Sequence, residues 1–140
     1  MLIDEIKKAN IQAMKDRDAD ARAILSIVIN KYTTANIEAK AAGKEFTDAD
    51  MLAIIQKTLK ELQDEGEGYW KTGNAEKYDA ITHQKRVINA YLPKQLTEAE
   101  IKAEIEKLED KSIPSVMKYF KTNFAGQVDM SVVSRIARGA

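Results

Sequence analysis

The basic side chains near the end of the chain are the residues whose types and spacing best suit ligand binding. Lys118 and Lys121 are three residues apart, and Arg135 and Arg138 repeat that spacing. Residues three apart on a helix lie on one face, so each pair would present two cations side by side. Together with Lys94, these side chains could form one positive surface that binds phosphate groups.

The distribution of charge leaves two interpretations of these cations open. Residues 111–140 contain five basic residues and one acidic residue, a net charge of +4, so residues 1–110 have a net charge of −4. A basic segment after an acidic body is typical of an anion-binding extension, and Tyr119 could stack on a base. Exposed charges are also the ordinary state of helix surfaces. A solvated surface without a ligand is therefore the alternative.

No other combination of residues in the sequence indicates catalysis or a metal site. The single histidine, His83, has no cysteine and no second histidine with which to form a transition-metal site. The carboxylates at 64–67 and 104–110 lack the spacing of a calcium-binding loop, and we interpret them as solvated surfaces. The sequence also contains no glycine-rich phosphate loop and no Gly-x-Ser-x-Gly motif. We predict no catalytic residue, no metal ligand and no cofactor.

The composition indicates a soluble globular protein of modest size. Its 140 residues are 44% hydrophobic and 31% charged, which is typical of globular rather than disordered chains. No apolar run approaches the roughly 20 residues that span a bilayer, and the N-terminus is acidic where a secretory signal would be basic. The absence of cysteine excludes disulfides and thiolate catalysis. We expect a cytoplasmic protein that does not bind membranes.

Hydrophobic periodicity predicts seven helices and no strand. The predicted N-terminal caps are Asp18 or Asp20, Thr47, Asn74, Thr97, Ser112 and Asp129. Gly66 continues the apolar stripe of the third helix between Leu62 and Tyr69, and there we predict the close approach of a neighbouring helix. Ile27 on the second helix is predicted to widen the buried face. The core stripe predicted for the sixth helix is Ile113, Met117, Phe120 and Phe124.

The segment around Pro93 divides the chain into two parts. Pro93 disfavours the helical conformation at Leu92, and Thr97 with Glu100 forms a capping box that starts a new helix. We therefore predict an all-α fold. A four-helix N-terminal subdomain, residues 1–92, would be followed by a smaller three-helix C-terminal subdomain, residues 93–140.

Two motifs in the chain resemble those of the GatB/YqeY family. The first is Ala-Tyr-Leu-Pro-Lys-Gln-Leu at 90–96, followed by Thr-Glu-Ala-Glu-Ile at 97–101. The second comprises Val-Met-Lys at 116–118, Phe-Ala-Gly-Gln-Val-Asp-Met at 124–130 and Val-Val at 132–133. The motifs occur in the order expected for the family. With the N-terminal helical pattern, the resemblance covers nearly all of the chain.

The resemblance implies an all-helical unit that occurs either as a free-standing small protein or as the tail of the GatB subunit of tRNA-dependent amidotransferase. That enzyme is a glutamine-dependent carbon–nitrogen ligase, and its tail contacts tRNA while catalysis takes place elsewhere. By resemblance, this chain would be either a tRNA-recognition module, with the cations described above as its RNA contacts, or a free-standing relative whose role is not settled. Amidotransferase activity stays open by family association, although no catalytic group is predicted in the chain; DNA binding is not expected. Ser131 and the turn at 124–127 are less basic than is common in relatives, which lowers the expected affinity. The alternative is a helical module that binds a protein of the translation machinery without RNA contact.

Overall fold

The computed structural model describes residues 1–139, which form seven α-helices and no β-strand. The helices are α1 (Leu2–Lys15), α2 (Ala19–Ala41), α3 (Asp48–Lys71), α4 (Ala75–Asn89), α5 (Glu98–Glu106), α6 (Ile113–Asn123) and α7 (Met130–Ala137). The predicted all-α fold class is confirmed. None of the helices in residues 1–139 is both long enough and apolar enough to cross a membrane.

The contacts within the chain define two compact units. The N-terminal unit, Met1–Tyr91, contains α1–α4, and the C-terminal unit begins at Leu92 and contains α5–α7. The assignment of residues 1–92 and 93–140 as subdomains stays a prediction.

The N-terminal unit buries one face of each of its four helices. α1 packs against α2, α3 packs against α4, and α2 also contacts both α3 and α4. The fully buried apolar side chains of this unit include Ile6, Ile24, Leu25, Val28, Met51, Ile55 and Ile88. The buried hydroxyl of Thr58 accepts a hydrogen bond from Lys31 Nζ at 3.0 Å and donates to the Ile54 carbonyl at 2.8 Å. The Thr58 hydroxyl therefore keeps its hydrogen-bond partners although it is buried.

The starts of five helices are capped by predicted side chains. The residues that each accept a backbone N–H of the following helix are Asp18, Thr47, Asn74, Thr97 and Asp129. Ser112 occupies the N-cap position of α6, but its hydroxyl makes no capping hydrogen bond. The carboxylate of Asp110 accepts the Ser112 N–H instead, at 3.0 Å. The predicted position of the cap is thus correct and the predicted hydroxyl cap is wrong.

Two residues predicted to lie in the core are exposed. Ile27 is 45% exposed and Ile113 is 37% exposed. Ile27 lies about 100° around α2 from the buried Val28, outside the stripe that faces the other helices. Ile113 is the first residue of α6, and its side chain points towards the helix start, so it extends past the packed part of the helix. Val116, together with Phe120, forms the buried face of α6.

Gly66 is buried near the C-terminal end of α3, where the helix packs against α4. A Cβ atom added to Gly66 would lie 3.2 Å from Cγ2 of Ile81. This separation is shorter than about nine in ten contacts of real Cβ atoms. The predicted close approach of a neighbouring helix is confirmed.

The variant Gly66→Leu is expected to lower the free energy of unfolding by about 2 kcal/mol, because overpacking a close contact typically has this cost. Gly68→Leu is the matched control. No atom lies within 4 Å of a Cβ added at Gly68, and leucine favours the helix over glycine by roughly 0.5–1 kcal/mol, so this variant should be stabilised. Urea denaturation measures both changes. Stabilisation of both variants would show that helix propensity, and not the contact with Ile81, determines the outcome.

Candidate nucleic-acid interface

The core of the C-terminal unit determines which side chains of α6 and α7 face solvent. The buried residues of this core are Ile101, Ile105, Val116, Phe120, Val128 and Val133. Because Val116 and Phe120 face inwards, Lys118 and Lys121 lie on the exposed side of α6. Arg135 and Arg138 are exposed on α7 and at its C-cap.

The segment that contains Lys94 is bound to the turn between α6 and α7. The Leu96 N–H donates to the Gln127 carbonyl at 2.8 Å, and Gln95 Nε2 donates to the Gly126 carbonyl at 2.6 Å. The backbone around Lys94 is therefore held at this turn, and the Lys94 side chain is exposed. Residues that are distant in sequence meet here within one unit.

The two lysines of α6 are exposed on a helix without acidic residues. The eleven residues of α6 include no carboxylate. Within residues 1–139, neither Lys118 nor Lys121 forms an ion pair or a hydrogen bond through its side chain. Their amines can therefore bind an external anion without first losing an internal partner.

Arg135 differs from these lysines because it already contacts a carboxylate. Its Nη2 atom donates to Oε1 of Glu98 on α5. Both side chains are largely exposed, so the pair stabilises the fold weakly, but it offsets the charge that Arg135 offers to a ligand. The sequence suggested cations without nearby acids; the structure supplies an acid from 37 residues away.

Tyr119 packs within the C-terminal unit instead of standing free to stack on a base. Its hydroxyl donates to Glu104 Oε2 at 2.9 Å, and its ring makes edge contacts with Phe120 and Phe124 at centroid distances of 5.4 and 5.9 Å. The hydrogen bond from Tyr119 lowers the pKa of Glu104, with a further contribution from Lys107. The same bond raises the pKa of Tyr119. Tyr119 thus serves to join α5 to α6.

Asp110 fixes the start of the helix that carries the lysines. Its Oδ2 atom accepts the Ser115 hydroxyl at 2.7 Å, and its Oδ1 atom accepts the Ser112 N–H at 3.0 Å. These hydrogen bonds, that from Ser115 first, lower the pKa of Asp110 from 3.8 to about 2. The ionised carboxylate therefore favours the folded helix start.

The variant Ser115→Ala is expected to raise the pKa of Asp110 towards 3.8, its ordinary value. Since the folded pKa lies below the unfolded one, ionised Asp110 stabilises the fold at pH values above the unfolded pKa. That contribution is lost as the pH falls from about 4 through the folded value of about 2. The variant should lose less stability over this window, and NMR titration of the Asp110 carboxyl carbon measures the pKa. An unchanged pKa would show that the hydrogen bonds from Ser112, and not that from Ser115, are responsible.

The N-terminal unit contains a histidine with a structural partner. His83 Nε2 lies 2.8 Å from Oδ2 of Asp18, which links α4 to the start of α2. This hydrogen bond is the main cause of a lowered pKa at Asp18. Within residues 1–139, no three side chains of His, Cys, Asp or Glu lie close enough together to hold a metal ion.

Trp70 is an exposed residue that the sequence reasoning did not select. It is 70% exposed, and its ring lies against that of Tyr78 at a centroid distance of 5.1 Å. Trp70 lies four residues after Gly66 and about 100° around α3 from Tyr69, so it is at the margin of the apolar stripe. A tryptophan at the margin of a helix's core stripe was the available indication of a surface aromatic site.

Comparison with known families identifies one match. The family model described as "Yqey-like protein" matches residues 3–139. No curated protein matches the sequence. The family match spans both compact units and includes all five predicted cations.

Proposed function

The chain belongs to the family of Yqey-like proteins, and we propose that it is a tRNA-binding accessory module without a catalytic site of its own. The observation that carries this proposal is the pair of exposed, unpaired lysines, Lys118 and Lys121, on a helix without carboxylates. Lysine side chains bind RNA by neutralising backbone phosphates and releasing counterions. The sequence resemblance to the tRNA-contacting tail of the GatB subunit supports RNA as the anion.

The proposed contacts position RNA without reading its bases. Lys118 and Lys121 would form the centre of the interface, with Arg138 at the C-cap of α7 and Lys94 beside the α6–α7 turn as further phosphate contacts. Arg135 would contribute less because it pairs with Glu98. With Tyr119 engaged by Glu104, the surface lacks a stacking residue of the predicted kind. Recognition would therefore depend on the shape and charge of the RNA backbone.

Crosslinking of the purified chain to bulk tRNA, followed by mass spectrometry of the peptides, tests this assignment. The expected crosslinks lie between Lys111 and Arg138, with a further one at Lys94. Crosslinks confined to residues 1–92 would contradict the proposed interface.

A second candidate function is a protein-interaction module that makes no RNA contact. The exposure of Trp70 favours this alternative, because tryptophan is enriched among the residues that dominate protein interfaces. A pull-down with the tagged chain, performed with and without ribonuclease, distinguishes the two candidates. Partners that all remain after ribonuclease treatment would favour protein binding.

The proposal assigns no amidotransferase reaction to this chain. A glutamine-dependent carbon–nitrogen ligase needs a group that releases ammonia from glutamine, and the sequence offers no nucleophile with a neighbouring base for this step. The purified chain is therefore expected to release no ammonia from glutamine. Release by the chain alone would assign the activity to it.

A further inference from the structure

A cleft of about 540 Å³ lies where α1 turns into α2, and its only charged side chains are cationic. They belong to Arg17, in the turn, and Arg22, near the start of α2. Neither guanidinium group forms an ion pair or a hydrogen bond within residues 1–139. The other lining residues are uncharged: Ala13, Met14, Ala19, Ala23 and Ser26. The cleft therefore offers two arginines that have no internal partner.

The acidic residues of the same turn do not pair with these arginines. Asp18 caps α2 and lies 2.8 Å from Nε2 of His83 on α4. Asp16 accepts a hydrogen bond from a glutamine of α1. Asp20 lies about 160° around α2 from Arg22, and none of the three carboxylates lines the cleft. The cleft thus presents only positive charge, although residues 15–22 contain three basic and three acidic residues.

Arg17 occupies a backbone position that favours glycine. Its φ is 56°, and it is the only residue other than glycine with a positive φ in the part of the chain that the structure describes. At the equivalent position after α2 and α3, the chain has Gly43 and Gly73, with φ of 72° and 74°. The left-handed conformation costs free energy for an arginine and not for a glycine. Termination of α1 therefore does not account for the side chain of Arg17.

Exposed apolar side chains border the cleft on both helices. Met14, which lines the cleft, is 48% exposed, and Ile11, three residues earlier on α1, is 52% exposed. On α2, Ile27 follows the lining residue Ala23 by four residues and is 45% exposed. Residues three or four apart are neighbours on a helix surface. The apolar surface therefore extends beyond the cleft along each helix.

We propose that the α1–α2 cleft binds an acidic amphipathic helix of a protein partner. The charge of the occupant follows from Arg17 and Arg22, because a guanidinium group binds a carboxylate through two parallel hydrogen bonds. Its apolar face follows from Met14 and the alanines, which form a groove between two helices where a third can place its apolar side chains.

The exposure of the cleft favours a polypeptide over a small molecule. Five of the seven lining residues are exposed, so the cleft covers only one side of its occupant. Small-molecule sites usually enclose about 70–90% of the ligand surface. RNA fits the cleft less well than an amphipathic helix, because phosphate contacts leave the apolar side chains around the arginines uncovered.

A labelled synthetic peptide of about five helical turns tests this proposal with the full chain. The peptide would have leucines on one face and glutamates on the other, and fluorescence anisotropy would measure its binding at about 50 mM salt. We expect saturable binding. A peptide with lysine in place of glutamate should bind about tenfold more weakly. A scrambled acidic peptide, which has the same composition without an apolar face, should also lose about tenfold.

Arg17→Gly separates binding from folding. Glycine is favoured at this position, so the variant should unfold at the same temperature as the wild type or at a higher one. Its affinity for the acidic peptide should nevertheless fall about fivefold, because one of the two guanidinium groups is lost. Ala23→Gln fills the cleft without a change of charge, and it should weaken binding about tenfold.

A pair of double variants shows whether the position of the charge matters. Arg17→Gln with Arg22→Gln should lower the affinity about 20-fold. The matched control, Lys40→Gln with Lys44→Gln, removes the same charge from exposed positions at the opposite end of α2. That end is farther from the cleft than the screening length of the buffer. The control should therefore leave the affinity within about twofold.

Four results would overturn the proposal. The first is no saturable binding of the acidic peptide at low salt. The second is equal binding of the acidic and lysine peptides, or wild-type affinity of the double arginine variant, since the arginines would then not select the occupant. The third is tRNA binding that the double arginine variant loses, which would make the cleft a nucleic-acid site. The fourth is self-association of the chain that Ala23→Gln abolishes, which would identify a second copy as the occupant. Charge reversal of Lys118 and Lys121 should leave peptide binding unchanged, so this proposal and the RNA proposal can fail separately.

Discussion

Phe120→Ala is expected to lower the free energy of unfolding of the C-terminal unit by about 3–5 kcal/mol, the usual cost of truncating a buried phenylalanine. Phe120 is fully buried and contacts the rings of Tyr119 and Phe124, at centroid distances of 5.4 and 5.5 Å. The unit has only a small core, and such units have few kcal/mol of stability to lose. The variant should therefore leave α5–α7 largely unfolded.

Hydrogen exchange followed by mass spectrometry measures this effect for each helix. In Phe120→Ala, protection should be lost in α5–α7 and retained in α1–α4. Phe46→Ala is the matched control, because Phe46 is buried in the N-terminal unit against Tyr32 and should reduce protection in α1–α4. Loss of protection throughout the chain in either variant would show that the two units unfold as one.

Lys118→Glu combined with Lys121→Glu is expected to lower the affinity for bulk tRNA on the order of 100-fold at low salt, because each reversal replaces an attraction to phosphate by a repulsion. Both lysines are exposed, and surface changes usually alter stability by no more than about 0.5 kcal/mol. The variant should therefore stay folded. Fluorescence anisotropy with labelled tRNA measures the affinity.

The control for this experiment is Lys57→Glu combined with Lys60→Glu, which has the same spacing on α3. Those lysines lie within residues 1–110, whose net charge is −4, so their reversal should change the affinity far less. An equal loss in both double variants would show diffuse attraction without a C-terminal site. No loss in either would show that the basic residues of α6 are solvated surface. Arg135 is less suited to this test, since its reversal also breaks the pair with Glu98.

The fold was largely predictable because its determinants are local in sequence. Thr47, Asn74 and Thr97 cap helices through residues three positions away, so short spacings are enough to place helix starts. The role of Gly66 followed from its place on an apolar stripe. Hydrophobic periodicity indicates which side of a helix is buried, but it does not locate the centre or the ends of the buried stripe. Ile27, beside the buried stripe of α2, and Ile113, at the start of α6, were therefore wrongly assigned to the core.

The arrangement of the candidate sites was less predictable because it depends on contacts between distant residues. Nothing near Arg135 in sequence indicates its pair with Glu98, which forms because α5 packs against α7. The hydrogen bond of Tyr119 to Glu104 likewise requires the packing of the C-terminal unit. The basic character of α6 was predictable, since it needs only the absence of carboxylates within one helix. Whether RNA binds there stays a prediction.

The salt dependence of tRNA binding tests the proposed function most directly. Affinity measured at two salt concentrations should give a log–log slope of about −0.7 to −0.9 for each phosphate contact. With Lys118, Lys121 and Arg138 as the three principal contacts, affinity should fall about 20- to 40-fold as salt rises from about 50 to about 200 mM. The double reversal of the α6 lysines should reduce the slope by about two contacts. No binding at the lower salt concentration, or an affinity that does not change between the two, would contradict RNA binding by this surface.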